Sequence, residues 1–196
     1  MSEKKPTTRR PITLDDINAI DYIDQYKKIE VVDGDWNHDD VPFYRSHSML
    51  SGVIQATTMT LLHEIVKQHG LGQIYSGSVG YVLEGSRENI QLMRRTDVSF
   101  VKKEHLRNDK RDEPFYQAPD LVVEVLFEDF AEDMFRRIHD FLSHGTAQVW
   151  VIIPLIQQLW VFLPNGSAKV NRVGDSIPVG DLLPGFTLDV ATVFAE

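Results

Sequence analysis

Residues 119–153 constrain the fold more than any other stretch, because their pattern predicts two buried strands joined by a helix. Residues 121–126 form a short, mainly β-branched apolar run bounded by turn signals, which is typical of a strand buried on both faces. Residues 129–143 carry apolar side chains at helical spacing, and Gly145 is a stop signal for that helix. Residues 149–153 predict a second apolar strand. The order strand, helix, strand predicts a crossover unit of an α/β fold.

One acidic residue, Glu124, interrupts the first of these apolar strands. A buried carboxylate without a partner is costly in free energy. We therefore expect Glu124 to be protonated, paired with a positive group or bound to a cation.

The composition limits the classes of protein that this chain can belong to. Its 196 residues predict a single domain over residues 13–196, after a flexible polar tail over residues 1–12. The absence of cysteine excludes disulfides, a thiolate metal site and a cysteine nucleophile, and it fits a cytoplasmic protein. No apolar run is long enough to span a membrane. The net charge of -9 argues against dense non-specific coating of DNA, although local basic patches can still bind phosphates.

The N-terminal third predicts a short helix, a hairpin and a long helix. A capping-box pattern at Thr13 opens the short helix, and Asp33-Gly34 is a strong hairpin turn between two strands. Residues 46–69 predict the long helix. Its expected buried stripe consists of Leu50, Ile54, Thr57, Leu61 and Ile65. Its histidines, His47, His63 and His69, lack the spacing of a zinc site, so we expect them to face solvent or cap the helix.

Further strands and one long polar segment complete the predicted sheet. Residues 73–83 and 89–92 predict two strands of a meander, and Asp97 stands at the start of a strand that includes Val98 and Phe100. Residues 102–118 are polar and predict a surface loop or flap. Additional strands are expected over residues 158–163 and 168–173, and residues 182–194 predict an apolar C-terminal closure.

The acids of neighbouring strands suggest a metal site. Asp97 and Glu124 can hold a hard divalent cation through oxygen, with water completing the octahedron. Such a cation can polarise a phosphodiester and lower the pKa of its bound water, and Arg136 or Arg137 can stabilise charge on the phosphoryl oxygens. The alternative is structural: Asp97 caps a strand or turn, and Glu124 forms a buried pair with an arginine. A glycosidase that uses the two acids is a weaker alternative, because no aromatic sugar platform stands near either acid in the sequence.

Several stretches, in order along nearly the whole chain, resemble the Uma-two family of putative restriction endonucleases, a branch of the PD-(D/E)XK nuclease superfamily. These stretches are residues 29–35, His47 at a helix start, residues 97–101, residues 119–125, Gly145 with residues 149–152, and residues 183–186. The resemblance implies a restriction-endonuclease-like mixed β-sheet flanked by helices, with an N-terminal helix and hairpin. It also implies Mg²⁺ or Mn²⁺ at Asp97, Glu124 and Val125, a DNA substrate and a homodimer.

The sequence lacks the lysine that the family pattern places near the acids. Leu126 stands two positions after the acid, where the superfamily has lysine, and the helix lysine expected in the Uma-two branch falls at Arg137. Thr96 stands where proline is usual before the first aspartate. Arginine cannot take up a proton at ordinary pH, although it can hold a phosphate or transition-state charge.

Two hypotheses follow, because both acids of the family pattern are present but its lysine is not. The first is a Mg²⁺-dependent endonuclease that hydrolyses DNA, with Asp97, Glu124 and Arg137 as catalytic residues and with activity weakened by the arginine. The second is a catalytically degenerate nuclease fold that is kept as a binding or regulatory module. We further expect Arg137, rather than Arg136, to point toward the acidic pair.

Overall fold

The computed structural model describes residues 10–23, 30–36, 49–76, 79–107, 113–126 and 131–195. Within these ranges the chain forms both α-helices and β-strands. The helices are α1 (Leu14–Ile23), α2 (Met49–His69), α3 (Ala131–Ser143) and α4 (Val190–Val193). The strands are β1 (Val31–Val32), β2 (Asp35–Trp36), β3 (Gly72–Ser76), β4 (Gly80–Ser86), β5 (Asn89–Arg95), β6 (Val98–Lys102), β7 (Leu121–Val125), β8 (Gln148–Ile153), β9 (Gln158–Phe162), β10 (Ala168–Arg172), β11 (Ser176–Pro178) and β12 (Thr187–Asp189).

The larger sheet has six strands in the order β10-β9-β8-β7-β6-β3. Strands β7 and β8 run parallel, with Val122 opposite Val149, and α3 forms the connection between them. The other neighbours in this sheet are antiparallel, so the sheet is mixed. The predicted crossover unit and the mixed sheet flanked by helices are therefore confirmed.

Each face of this sheet buries its own apolar cluster. Side chains alternate along β7, so Leu121 and Val123 point to one face while Val122 points to the other. The first face packs against α2 and the C-terminal segment, where Trp150 is fully buried. The second face packs against α3, and Phe141 is its fully buried anchor. Glu124 has the same parity as Val122, so it lies on the α3 face.

A smaller sheet, in the order β2-β1-β5-β4, lies next to α1 and forms a third cluster. The predicted N-terminal helix and hairpin are both present. The hairpin turn needs two residues with positive φ, and Asp33 (φ 53°) and Gly34 (φ 68°) supply them. The amide of Gly34 also donates to the carbonyl of Gln91 at 2.9 Å, which ties the turn to β5.

Two sequence predictions about the first half of the chain are wrong in detail. The buried stripe of α2 is Ser51, Ile54, Thr58, Leu62 and Val66, so apart from Ile54 it lies one position later than predicted. Leu50 is exposed, whereas Leu61 and Ile65 only flank the core. The helix packs through small and polar residues as well as large apolar ones, which apolar spacing alone does not reveal.

Residues 73–83 also do not form one strand. They divide into β3, which pairs with β6 in the larger sheet, and β4, which pairs with β5 in the smaller one. The two strands follow one another closely in the sequence, so the residue pattern alone does not show that they belong to different sheets.

Some predicted boundaries lie outside the described residues: most of the tail, the helix start at Ser46 and His47, and residues 129–130 of the later helix. At the end of the predicted tail, Ile12 is buried, and its carbonyl accepts a hydrogen bond from the amide of Ile90 at 2.9 Å. His63 and His69 are exposed, as expected. In the described part of the chain, no helix is long and apolar enough to cross a membrane.

Candidate functional site

Glu124 lies in β7 with its side chain toward α3, on the face that otherwise carries the apolar residues Val122, Val149 and Val151. Its side chain is 16% exposed, and Oε1 accepts a hydrogen bond from Nη2 of Arg137 at 2.9 Å. A carboxylate in such surroundings needs a positive partner, and α3 supplies one. The contact expected between Arg137 and Glu124 is therefore present.

Arg137 is buried because its neighbours on α3, Met134, Ile138 and Phe141, pack into the sheet. Its guanidinium makes three kinds of contact. Nη1 donates to Oε1 of Glu30, and Nη2 donates both to Glu124 and to the backbone carbonyl of Arg95. The planar fork of arginine suits this arrangement, because each terminal nitrogen faces a separate carboxylate.

Arg136, the neighbouring arginine, points away from the acids. Its Nη2 donates to Oδ2 of Asp33 at 2.8 Å, and both side chains are largely exposed, at 51% and 67%. The structure thus separates the two arginines: one joins the buried acids and the other forms a surface ion pair.

Glu30 is a component of the site that the sequence pattern does not single out. It lies directly before β1 and is 4% exposed. Oε2 accepts from Nη1 of Arg94 at 2.8 Å, and Oε1 accepts from Arg137 and from the amide of Arg95 at 3.0 Å. One carboxylate therefore bridges two arginines and one backbone amide.

Arg94 and Asp140 extend this cluster. Arg94 is fully buried, and its Nε and Nη2 donate to Oδ2 of Asp140 at 2.9 Å and 2.6 Å. A sequence signal for Arg94 exists, since Ile90, Leu92 and Arg94 alternate along β5 and all three are buried. Asp140 lies one helical turn after Arg137, on the same side of α3.

Electrostatic interactions hold Glu30 and Arg137 in their charged forms. Burial alone would raise the pKa of Glu30, but the charges of Arg137 and Arg94 outweigh burial and lower that pKa to about 2. Burial would lower the pKa of Arg137, yet the carboxylates of Glu124 and Glu30 raise it well above its ordinary value. Arg137 is therefore a permanent cation and cannot serve as a proton carrier.

Asp97 lies immediately before β6 and is 6% exposed. The paired register of β6 and β7 ends at Val98 opposite Val123, and Asp97 and Glu124 are the next residues on either side of that pair. Oδ2 of Asp97 accepts a hydrogen bond from the amide of Val125 at 2.8 Å. This bond joins the end of β7 to the residues that precede β6.

The donor chemistry of these residues fits a hard divalent cation. Asp97 and Glu124 offer carboxylate oxygens, and Val125 can offer its backbone carbonyl, which suits the preference of Mg²⁺ for few protein ligands plus water and phosphate. Among the described residues, no group of three or more acidic or histidine side chains lies close enough to hold a metal ion. The two contacts of the structural alternative, a cap by Asp97 and an arginine pair at Glu124, are present. The catalytic and metal roles of these residues stay predictions.

Leu126 faces the same side as Glu124, two residues further on. It is half-buried and lines a small pocket together with Glu124, Asp133 and Arg137. A lysine at this position would reach into the pocket, so the departure from the superfamily pattern falls within the candidate site.

Comparisons with known proteins bear on this site. Residues 45–191 match the Uma2 family, described as putative restriction endonuclease, and the chain therefore belongs to that family. A solved structure with a similar fold is a putative nuclease belonging to DUF820 from Anabaena variabilis. It is 19% identical, with a TM-score of 0.73, and the alignment covers 94% of this chain and 98% of that one. No curated protein matches the sequence. The predicted family and fold class are confirmed.

Proposed function

We propose that this protein is a divalent-metal-dependent endonuclease that hydrolyses phosphodiester bonds in DNA. Asp97, Glu124 and the carbonyl of Val125 hold Mg²⁺ or Mn²⁺, and Arg137 contributes positive charge beside them. The observation that carries the proposal is the bond from the amide of Val125 to Asp97, which brings Asp97, just before β6, next to the residue that follows Glu124 in the neighbouring strand β7. Membership of a family described as putative restriction endonuclease supports it.

The chemistry divides between the cation and the protein. When bound, the cation would polarise the phosphodiester and activate water. Asp97 and Glu124 would orient the cation, and the low solvent access of their surroundings strengthens each electrostatic contact. Arg137 stabilises negative charge that builds on the phosphoryl oxygens, since a guanidinium holds such charge without exchanging a proton. Arg137 stands where the family's helix lysine would fall and cannot take up a proton, so we expect a slow enzyme.

A cleavage assay on supercoiled plasmid with Mn²⁺ tests this proposal. The wild type is expected to nick and linearise the plasmid, and chelation by EDTA stops the reaction. Glu124→Gln and Asp97→Asn keep the side-chain shape but remove a ligand charge, and both are expected to lose activity. Asp33→Asn is the matched control, because it removes a carboxylate that pairs with an arginine at the surface. Equal cleavage by the wild type and Glu124→Gln would contradict the proposal.

A homodimer is part of this proposal. The start of α2 exposes three apolar side chains, Met49 (91%), Leu50 (40%) and Val53 (50%), and contact with a second copy would cover them. Light scattering coupled to size-exclusion chromatography is expected to give twice the chain mass of 22.4 kDa. A monomer mass at all concentrations would contradict this part alone.

A second candidate function, a degenerate nuclease fold that binds DNA without cutting it, is favoured by one observation. The guanidinium of Arg137 is already engaged by Glu30, Glu124 and a backbone carbonyl, and Leu126 occupies the superfamily's lysine position. This candidate predicts no cleavage by the wild type even with Mn²⁺ and single-stranded DNA, together with measurable binding in a fluorescence anisotropy titration.

A further inference from the structure

A continuous chain of buried ion pairs leads from α3 through the smaller sheet and back to Glu124. Asp140 contacts Arg94, with the closest atoms 2.6 Å apart, and Arg94 contacts Glu30 at 2.8 Å. Glu30 contacts Arg137, which in turn contacts Glu124 at 2.9 Å. Each inner member uses different atoms for its two neighbours. Displacement of any member therefore moves the hydrogen-bond geometry of the next.

The same chain also reaches the second acid of the candidate pair through the backbone. The amide of Arg95 donates to Glu30 at 3.0 Å, and the carbonyl of Arg95 accepts from Arg137. Both polar groups of this peptide segment are thus fixed by the ion-pair chain. Asp97 follows only two residues later, so the direction in which its carboxylate leaves the backbone depends on Arg95.

We propose that Glu30, Arg94 and Asp140 are positioning residues, which hold Arg137 against Glu124 and fix the backbone that presents Asp97. This proposal rests on the proposed function, since it names the residues that set the geometry of the same acidic pair. The place of Glu30 in the site rests on its contacts with Arg94, Arg137 and the amide of Arg95.

Glu30, Arg94 and Asp140 act in this proposal through other protein groups. Arg94 is fully buried and Glu30 is 4% exposed, and their ion pairs are with Asp140, with Arg137 and with each other. Outer partners of a metal site commonly change metal affinity or activity by about 10–100-fold when they are replaced. In this proposal Glu30, Arg94 and Asp140 are outer partners of the metal-binding residues Asp97 and Glu124.

The wild type itself offers the first test, without metal and without substrate. A guanidinium held by two carboxylates rotates slowly, so side-chain ¹H–¹⁵N NMR is expected to resolve the separate Nη protons of Arg137. Asp140→Asn, which changes the member of the chain farthest from Glu124, is expected to shift and broaden those signals. Averaged Arg137 signals in the wild type, or unchanged signals in Asp140→Asn, would overturn the proposal.

Manganese affinity provides the second test. Asp140→Asn and Arg94→Lys are expected to weaken Mn²⁺ binding by about tenfold in calorimetric titration, although neither residue is a ligand. Asp33→Asn, which alters the surface pair of Arg136, is expected to stay within about twofold of the wild type. Both test variants retain a polar side chain of similar shape or charge, and circular dichroism checks that they are folded. An unchanged Mn²⁺ affinity in a folded Arg94→Lys protein would overturn the positioning role.

The NMR test and the Mn²⁺-binding test together distinguish failure of this proposal from failure of the proposed function. If the wild type binds Mn²⁺ and cleaves plasmid while both variants bind Mn²⁺ equally well, the nuclease stands and the positioning role falls. If the wild type neither binds Mn²⁺ nor cleaves, the nuclease falls. The Arg137 signals, which are read without metal, then decide by themselves whether the chain positions that guanidinium.

Discussion

Replacement of Glu30 by glutamine is expected to destabilise the protein strongly, although the two side chains have nearly the same shape. Glutamine resembles the protonated form of Glu30 and carries no charge. The substitution therefore removes the electrostatic attraction to Arg94 and Arg137 and leaves both guanidiniums buried with fewer partners.

The magnitude follows from the pKa of Glu30. Folding lowers that pKa from 4.5 to about 2, because the two arginines outweigh the cost of burial. At 1.36 kcal/mol for each pH unit, this difference corresponds to about 3 kcal/mol of stability at neutral pH. For a chain of this length, a loss of that size lowers the melting temperature by roughly 6–12 °C.

The loss is expected to depend on pH in a definite direction. Because the folded pKa is below the unfolded one, the stabilisation is complete above pH 4.5 and declines as the pH falls toward 2. The wild type then becomes protonated at Glu30 and resembles the variant. The difference in free energy of unfolding between the two proteins should therefore shrink across this range.

Urea denaturation at pH 7, 5, 4 and 3, followed by circular dichroism, measures this difference. Asp33→Asn is the control, since Asp33 is 67% exposed and its surface pair is worth at most about 1 kcal/mol. Asparagine also tolerates the positive φ of that position. A loss below about 1 kcal/mol for Glu30→Gln at pH 7, or a loss that stays constant down to pH 3, would show that the charge of Glu30 does not stabilise the fold in this way.

Three further predictions concern the site and the scaffold. Arg137→Lys is expected to raise Mn²⁺-dependent plasmid cleavage by as much as the roughly 10²-fold that a proton-exchanging group contributes. It should also lower the urea midpoint of unfolding, because a single ammonium group replaces the forked guanidinium. An unchanged cleavage rate would mean that proton exchange at this position does not limit cleavage. Phe141→Ala empties the fully buried anchor between α3 and the sheet and should cost about 3–5 kcal/mol in urea denaturation, and a cost below 1 kcal/mol would contradict that packing. Gly34→Ala places a Cβ 3.0 Å from Oε1 of Gln91 at a φ of +68° and should cost about 1–2 kcal/mol, so a neutral effect would contradict the turn geometry.

The sequence was sufficient to predict the crossover unit because its signals are local. Residues 121–126 and 149–153 are apolar runs, and α3 has a clear helical pattern between them. The face of α2 was harder to predict, since Ser51 and Thr58 are buried there in place of larger apolar residues. Apolar spacing does not record which small residues let a helix approach a sheet closely.

The residues of the candidate site likewise differ in whether local sequence signals could reveal them. Glu124 stands out in an apolar strand, and Arg137 stands out beside the apolar stripe of α3, so both could be named from their neighbours. Glu30 contacts Arg94 and Arg137, which lie 64 and 107 residues further along the chain, and no local pattern links them. The alternation that includes Arg94 was the one available signal, because it sets a charged residue at a buried position.

We propose that Asp97 and Glu124 share one divalent cation. Anomalous X-ray diffraction from a crystal soaked in Mn²⁺ locates that cation without any assay of activity. We expect one strong peak within about 2.0–2.6 Å of a carboxylate oxygen of Asp97, a carboxylate oxygen of Glu124 and the carbonyl of Val125. A peak bound to only one of the two carboxylates, or no peak near them at a saturating Mn²⁺ concentration, would contradict the claim.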